Sequence, residues 1–321
     1  MQRRGCLIAA LLSVLAALLL LLWPWYGSGP LPKDTAFVVP DGSSLAGVSA
    51  KLEREGAISS ASGFRFRARL FGGGEPIRAG EFMLPKGASA SQVLTIIQGD
   101  KIMRRFVTVP EGMPAIMVYE RLRAQPHLAG QLAIPAEGSV LPESYDFERG
   151  EGRQAVLLRM QAAMRRTLKE LWDKRGPDSV ARTPEEAVVL ASIVEKETGK
   201  PSERKTVAGL YSNRLRQGIM LQADPTIIYP ITRGKPLGRR IRQSEIQAIN
   251  DYNTYAMLGL PKGPITNPGR ASIEAVLHPA RTDALYMVAD GSGGHAFAAT
   301  LAEHNANVEK WFAIRRARGE M

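Results

Sequence analysis

Two glutamates, Glu195 and Glu197, close an otherwise uncharged run, Ala187 to Val194, with Lys196 between them. Upstream, Thr183 has the character of a helix N-cap. Pro184 suits the first helical position, and Glu186 completes a capping box with Thr183. Gly199 and Pro201 mark the expected stop. A helix apolar on every face is a buried one. Both acids therefore fall in the last turn of a buried helix, at the negative end of its dipole, where dipole and partial burial alike favour the protonated carboxyl. A carboxylic acid that keeps its proton near neutral pH suits glycosidic cleavage, because the leaving sugar oxygen must be protonated as its bond breaks.

At about 100° per residue, Glu195 shares the face of Val188, Ala191 and Ser192, and Glu197 points about 200° away with Leu190 and Ile193. The two cannot serve one scissile bond. Small neighbours leave room for a ligand beside Glu195, which makes it the candidate acid. The plain alternative is an exposed helix-end pair balanced by Lys196.

Further along, Gln222, Asp224 and Thr226 alternate, and an extended backbone would set all three on one side, suited to hydroxyl and acetamido groups. Tyr229, Tyr252 and Tyr255 offer ring faces for sugar stacking. Asp224 is the candidate second carboxylate that an ordinary glycoside hydrolase would need, so hydrolysis by Glu195 with Asp224 stands as an alternative. A separate chemistry is suggested by Ser202-Glu203-Arg204-Lys205, which fits the S-x-x-K of penicillin-binding proteins, but neither S-D-N nor K-T-G follows it.

Composition excludes other classes. The one cysteine, Cys6, lies near the N-terminus, so the remainder has no thiol for a disulfide or metal site. His127, His278, His295 and His304 lack metal-ligand spacing, so neither metal nor cofactor is expected. A net charge of +11 calls for an anionic partner.

The elements that must position these residues begin with Arg3 and Arg4, followed by an apolar run from Cys6 to Tyr26 ending in Trp23, Pro24, Trp25 and Tyr26. That order reads as a transmembrane helix over 6–26, with 1–5 in the cytoplasm and an aromatic belt at the far interface. Residues 27–35 read as a tether. Three P-x-G turns, at Pro40 to Gly42, Pro85 to Gly87 and Pro110 to Gly112, each follow a β-prone stretch and lead into a helical pattern. The first two units compose a small β/α domain over 36–105 that resembles a LysM-like glycan-binding module; plain scaffold is the alternative. From Ala155 the pattern is helical as far as the Gly176-Pro177 break. A hairpin over Ala284 to Ala299 turns on Asp290 to Gly294. A last helix starts with the capping box of Thr300 and Glu303. The fold class is α+β: one membrane helix, the small domain, and a mainly helical catalytic domain over 106–321 with its hairpin.

Several long runs, in this order, resemble the YceG-like endolytic murein transglycosylases. They are L-A-S-I-V-E-K-E-T (Leu190 to Thr198), Ser202 to Tyr229, Y-N-T-Y (Tyr252 to Tyr255), Gly259 to Gly269, His278 to Ala280, Val288 to Phe297 and Leu301 to Asn305. The likeness covers residues 136–321 closely and the preceding part loosely. Pro142-Glu143-Ser144-Tyr145 departs from the family's P-D-T-Y. The resemblance implies Glu195 as the catalytic acid and base, and the matching runs place substrate-binding candidates at Glu197, Asn213, Gln222, Asp224, Thr226, Tyr229, Tyr252, Asn253, Tyr255 and Asn267. It implies cleavage between N-acetylmuramic acid and N-acetylglucosamine with a 1,6-anhydro product, on nascent strands, so that elongation ends. The implied location is the bacterial inner membrane, with the catalytic domain in the periplasm. Expected partners are peptidoglycan strands, the membrane and penicillin-binding glycan polymerases, with no nucleic acid. A wall-binding anchor without catalysis is the non-enzymatic alternative.

Overall fold

The computed structural model describes the backbone of residues 2–320 and the side chains of residue 8 and residues 10–320. Met1 and the side chains of Arg3, Arg4 and Cys6, on which the expected membrane orientation and the thiol argument rest, lie outside the described residues. The chain divides into two compact units, 1–105 with 147–150, and 106–146 with 151–321.

The first unit runs α1 (Gln2–Tyr26), β1 (Thr35–Val39), α2 (Leu45–Arg54), α3 (Ala61–Phe71), β2 (Gly80–Leu84) and α4 (Ala90–Gln98). The strands of the first two turn units pair with each other, antiparallel, with Phe37 opposite Phe82. Both rings are buried against Val48 and Leu52 of α2 and Val93 and Ile97 of α4, the inward positions of two amphipathic helices. The P-x-G turns share a cause: Gly42, Gly87 and Gly112 all take positive φ, near 70°, 66° and 71°, a region that side chains disfavour. After the first two turns a serine caps the helix. Ser44 Oγ accepts from Gly47 N, and Ser89 makes a full capping box with Gln92.

Among the described residues no helix is long and apolar enough to cross a membrane. Helix α1 is nonetheless continuous to Tyr26 and leaves Leu11, Val14, Leu18 and Leu20 exposed. Its end belongs to the first unit's core. Trp25, expected in an interfacial belt, is instead buried, with its ring centroid 5.8 Å from that of Phe64 and 6.1 Å from that of Phe71. Arg67 of α3 donates to the Leu21 and Leu20 carbonyls at 2.8 and 3.1 Å, satisfying acceptors near the helix end. The stretch 27–35, expected as a tether, is bonded down. Gly29 N donates to Gly87 O at 3.0 Å, Gly87 N returns a bond to Leu31 O at 2.9 Å, and Leu31 is buried.

The chain continues with β3 (Arg105–Thr108), α5 (Ala115–Arg123), β4 (Ser144–Phe147), α6 (Arg153–Asp173), α7 (Pro184–Glu197), α8 (Arg204–Arg216), α9 (Asp224–Thr232), α10 (Gln243–Ile246), α11 (Arg270–Leu277), β5 (Tyr286–Ala289), β6 (His295–Ala298) and α12 (Leu301–Ala317), all in the second unit apart from Arg105 and Phe147. Strand β3 pairs with β4, and β5 with β6. Helix α7 lies at the centre, packed by α6, α8, α9 and α11. Every residue from Ala187 to Val194 is buried, as an all-round apolar sequence requires. Its start differs in one detail from expectation. Thr183 Oγ1 accepts from Glu186 N at 3.1 Å, but Glu186 Oε2 takes Arg182 N at 2.7 Å rather than the N-cap's own N–H. The helix ends at Glu197 with Thr198 as C-cap, one residue before Gly199. The hairpin turn is held by Asp290 Oδ1, which accepts from Ser292 N at 2.7 Å and Gly294 N at 3.2 Å. Helix α12 begins with the Thr300 and Glu303 capping box.

Candidate active site

Glu195 ends the buried stretch of α7 with only 6% of its side chain exposed. Its Oε2 accepts from Gly269 N at 2.8 Å, and Gly269 is the N-cap of α11. The positive end of one helix thereby meets an acid at the negative end of another, an offset that the local sequence around Glu195 does not reveal. One turn back, buried Ser192 donates to Val189 O and accepts from Ile265 N at 3.0 Å, fixing the segment that leads to Gly269.

The other carboxylate oxygen faces α8. Arg204 NH2 lies 3.9 Å from Glu195 Oε1 and 3.5 Å from Glu111 Oε2. Glu111 stands in the third P-x-G turn, and burial first, then the Glu195 charge, raise its carboxyl above the usual range against the pull of Arg204. A groove of about 440 Å³ opens beside this group, lined by Glu111, Gly112, Lys196, Met117, Ile228 and Leu237 among others. Glu111, Arg204 and Gly269 lie in stretches noted for other reasons, and none of the three is a site residue by the sequence reading. The capped, all-apolar helix was a local signal, whereas these three come from separate segments.

Glu197 points to a different group, as the helix geometry required. Burial and then the Asp224 charge push it up to about 7, with the Tyr211 hydroxyl and Arg214 acting the other way. Its Oε1 is buried without a hydrogen-bond partner. Asp224 Oδ1 accepts from Tyr255 OH at 2.7 Å. Asp224, the expected second carboxylate for Glu195, thus acts electrostatically on Glu197, and the carboxylate that shares Arg204 with Glu195 is Glu111.

Gln222, Asp224 and Thr226 do not share one extended strand. Asp224 opens α9, since Asp and Pro225 both suit a first helical turn. Gln222 takes φ 50°, and Thr226 is buried, its Oγ1 bonded to Ala223 O at 2.7 Å and to Thr254 Oγ1 at 2.8 Å. Of three asparagines expected to face glycan, Asn253 and Asn267 are buried and Asn213 is half-buried, each with its amide engaged within the protein. Asn267 accepts from Val140 N at 3.0 Å and donates to Met113 O at 2.8 Å. Asn253 donates to Ile246 O at 2.9 Å and Ala248 O at 2.6 Å and accepts from Tyr255 N at 3.0 Å. Asn213 donates to Thr282 O at 2.6 Å and accepts from Arg216 NH1 at 3.1 Å. Each amide is spent on holding neighbouring segments together, which for the fully buried Asn253 and Asn267 is the satisfaction that buried polar groups require. Tyr145 is likewise buried and donates to Leu141 O at 2.7 Å.

The ring faces fare differently. Tyr229 and Tyr252 meet at 4.8 Å between centroids and remain partly exposed. Behind Tyr229, burial pushes the Glu137 carboxyl up to about 7, opposed by the Ala115 N–H, the Tyr229 hydroxyl and the Gly138 N–H. In the S-x-x-K stretch, Ser202 is exposed in a 3-10 turn and Lys205 Nζ lies 3.9 Å from Glu274 Oε1, so the lysine's ion pair is directed to α11. Among the described residues no group of three His, Cys, Asp or Glu side chains could hold a metal ion.

A buried helix-end acid, held by a backbone N–H and sharing an arginine with a second carboxylate beside an open groove, defines a site for acid and base chemistry. The YceG-like family profile matches residues 37–310, and the chain belongs to that family. An endolytic murein transglycosylase of Bacillus subtilis (strain 168) is 26% identical over 325 residues, covering 89% of this chain and 88% of that protein. One from Streptococcus pneumoniae serotype 2 is 27% identical over 319 residues, covering 84% of this chain and 57% of the longer relative. The crystal structure of a YceG-like protein from Listeria monocytogenes aligns with a TM-score of 0.53 at 25% identity, covering 86% of this chain and 99% of that one.

Proposed function

We propose that this protein is an endolytic peptidoglycan transglycosylase with Glu195 as its acid and base. The observation that carries the reading is the Glu195 carboxyl itself, held by Gly269 N at 2.8 Å on one oxygen and directed to Arg204 on the other. In the first step Glu195 gives its proton to the oxygen linking N-acetylmuramic acid to N-acetylglucosamine, and the glycosidic bond breaks. The carboxylate so formed takes the proton of the muramyl 6-hydroxyl as that oxygen bonds to the anomeric carbon. The products are a 1,6-anhydro end and a free 4-hydroxyl, with no water consumed. Arg204 and the α11 N-terminus support the transient negative charge.

The basic character of the chain suits a polymer bearing lactyl and stem-peptide carboxylates. For location, the outward apolar side chains of α1 from Ile8 to Leu20 form a surface that lipid would cover, so the proposal includes anchoring in the inner membrane with the two folded units in the periplasm. The first unit, LysM-like in its strand and helix order, is proposed to hold glycan, and glycan polymerases are the proposed partners in ending nascent strands. Mass spectrometry of uncrosslinked nascent strands after digestion tests the chemistry. Anhydro-muramyl ends are expected, and reducing muramic ends would replace this reading with hydrolysis.

A further inference from the structure

The groove beside Glu195 is aliphatic and cationic. Gly112 and Lys196 carry it up to the acid, since a Cβ on Gly112 would lie 3.5 Å from Glu195 Cγ and 3.6 Å from Lys196 Cδ. Another part of its lining is the loop after α9, which is pressed into place. Gly234 takes φ 81°, and a Cβ there would fall 2.8 Å from Pro114 Cβ and 3.1 Å from Ile265 O, so conformation and space both call for glycine. Met117, Ile228 and Leu237 give the groove a half-buried aliphatic surface. Lys196 is exposed and has no ion pair among the described residues, and Lys235 meets Glu120 at 2.5 Å, with both side chains nearly half exposed. The acid in the lining, Glu111, has Arg204 3.5 Å from it. Among the described residues no aromatic ring lines this groove.

Glycan and peptide ask for different surfaces. A sugar ring offers a flat face that aromatic rings cover, and its hydroxyls carry no charge. Tyr229 and Tyr252 supply such faces outside this groove. A stem peptide instead carries small aliphatic side chains, alanyl methyls among them, and free carboxylates. Methionine and leucine suit the methyls, and lysine ammoniums suit the carboxylates while favouring them over an uncharged chain. Connectivity adds position. The stem hangs from the lactyl ether at C3 of the muramyl ring, two ring bonds from the anomeric carbon. With that carbon at Glu195, the stem leaves within a sugar's width of the acid, where Gly112 and Lys196 open the groove. Extended peptide covers about 3.3–3.6 Å per residue, so three residues reach about 10 Å along the lining. Resting on Glu195 as the acid proposed above, we infer that this groove takes the stem peptide of the muramyl residue being cleaved, so that the enzyme favours peptide-bearing strands over denuded ones. Lys235 exchanges Glu120 for a peptide carboxylate at little cost, because an exposed ion pair contributes little to stability.

The test compares kcat/KM of the full chain on two uncrosslinked glycans of equal length, one bearing stem peptides and one stripped of them at the lactyl amide. Mass spectrometry counts the ends formed in each digest. The wild type should prefer the peptide-bearing strand by about tenfold or more, the scale of a charge-assisted contact. Lys235→Gln should lower that preference by about threefold, and Lys235→Arg should restore it. Leu237→Glu, which sets a carboxylate against those of the peptide, should abolish it. Damage to the fold or to the acid slows both substrates in proportion and leaves their ratio alone, so the ratio reports the groove. Equal kcat/KM on the two strands in the wild type overturns the inference, as does a ratio that either Lys235→Gln or Leu237→Glu leaves at the wild-type level. Should Leu237→Glu fail to fold, Lys235→Gln decides alone. The reading of Glu195 fails by a separate result: an active Glu195→Gln removes the acid, and reducing muramic ends replace transglycosylation by hydrolysis, while the ratio still reports the stem peptide.

Discussion

Gly269 and Glu195, 74 positions apart, are joined by one N–H to carboxylate bond of 2.8 Å that sets the first turn of α11 against the last turn of α7. Gly269 has φ −73°, an angle open to any residue, so a side chain there would be opposed only by the Glu111 side chain beside it. A methyl group there would fall 2.0 Å from Glu111 Oε1 and 2.4 Å from its Cδ. Gly269→Ala is therefore expected to push the half-exposed end of Glu111 away from Arg204 and to lower turnover only a few-fold, about 1 kcal/mol or less in the barrier. Turnover assays with circular dichroism check this, and a wild-type rate would show that the contact is dispensable.

The acid itself gives the largest effect. Glu195→Gln keeps the shape and can still accept from Gly269 N, but it has no proton to transfer, so turnover should fall by about 10²- to 10⁴-fold with the melting temperature nearly unchanged. Glu197→Gln should be milder in rate because Glu197 belongs to the Tyr211 and Asp224 group on another face of the helix. Product quantification on nascent strands compares the two. A reversed order of effects would exchange their roles.

Much of this arrangement was legible in the sequence where the cause is local. Thr183 and Pro184 announce the start of α7, and the uncharged stretch Ala187 to Val194 announces its burial, because capping and side-chain pattern act within one helix. The two faces of Glu195 and Glu197 follow from helical pitch alone. What was not legible depends on partners far along the chain. Glu111, Arg204 and Gly269 come from a turn, a helix start and a helix cap, and no periodicity brings them together. The alternation of Gln222, Asp224 and Thr226 suggested a strand, yet Pro225 fits the first turn of a helix equally well, and the tertiary context chose the helix. For Asn213, Asn253 and Asn267 the sequence gives an amide but not whether loop carbonyls will satisfy it.

Glu197 also predicts how stability changes with pH. Its carboxyl ordinarily titrates near 4.5 and is held up to about 7 in the fold, so between those values the folded state binds the extra proton. Stability contributed by that proton is complete below the lower value, declines as pH rises and is gone above the upper one, a loss on the order of 3 kcal/mol. Glu197→Gln, neutral at every pH, should not show this decline. Urea unfolding at pH 5 and pH 8 measures it: the wild type should lose more stability than the variant over that range. Equal losses would show that Glu197 does not titrate in the window.

The N-terminal boundary of a soluble form is set by packing. Trp25 is 1% exposed against Phe64 and Phe71, and Leu31 is buried in the same core. A truncation beginning at Lys33 would leave a cavity where an indole had been and uncover the buried Phe64, a loss of about 3–5 kcal/mol by comparison with tryptophan deletions in protein cores. A truncation beginning at Leu22 removes most of the outward apolar row of α1 and retains both residues. The shorter form should therefore show an early melting transition for the first unit, and the longer form should melt at a higher temperature for that unit. Both should cleave isolated strands, because the residues around Glu195 lie within 106–146 and 151–321. In cells, neither should replace the full chain well if α1 confines the enzyme near the membrane where strands emerge, since confinement raises effective concentration without adding a contact. Calorimetry, cleavage assays and complementation separate these outcomes. Full complementation by the longer form would show confinement to be unnecessary, and loss of cleavage by the Lys33 form alone would show that the first unit must be folded for the second to act.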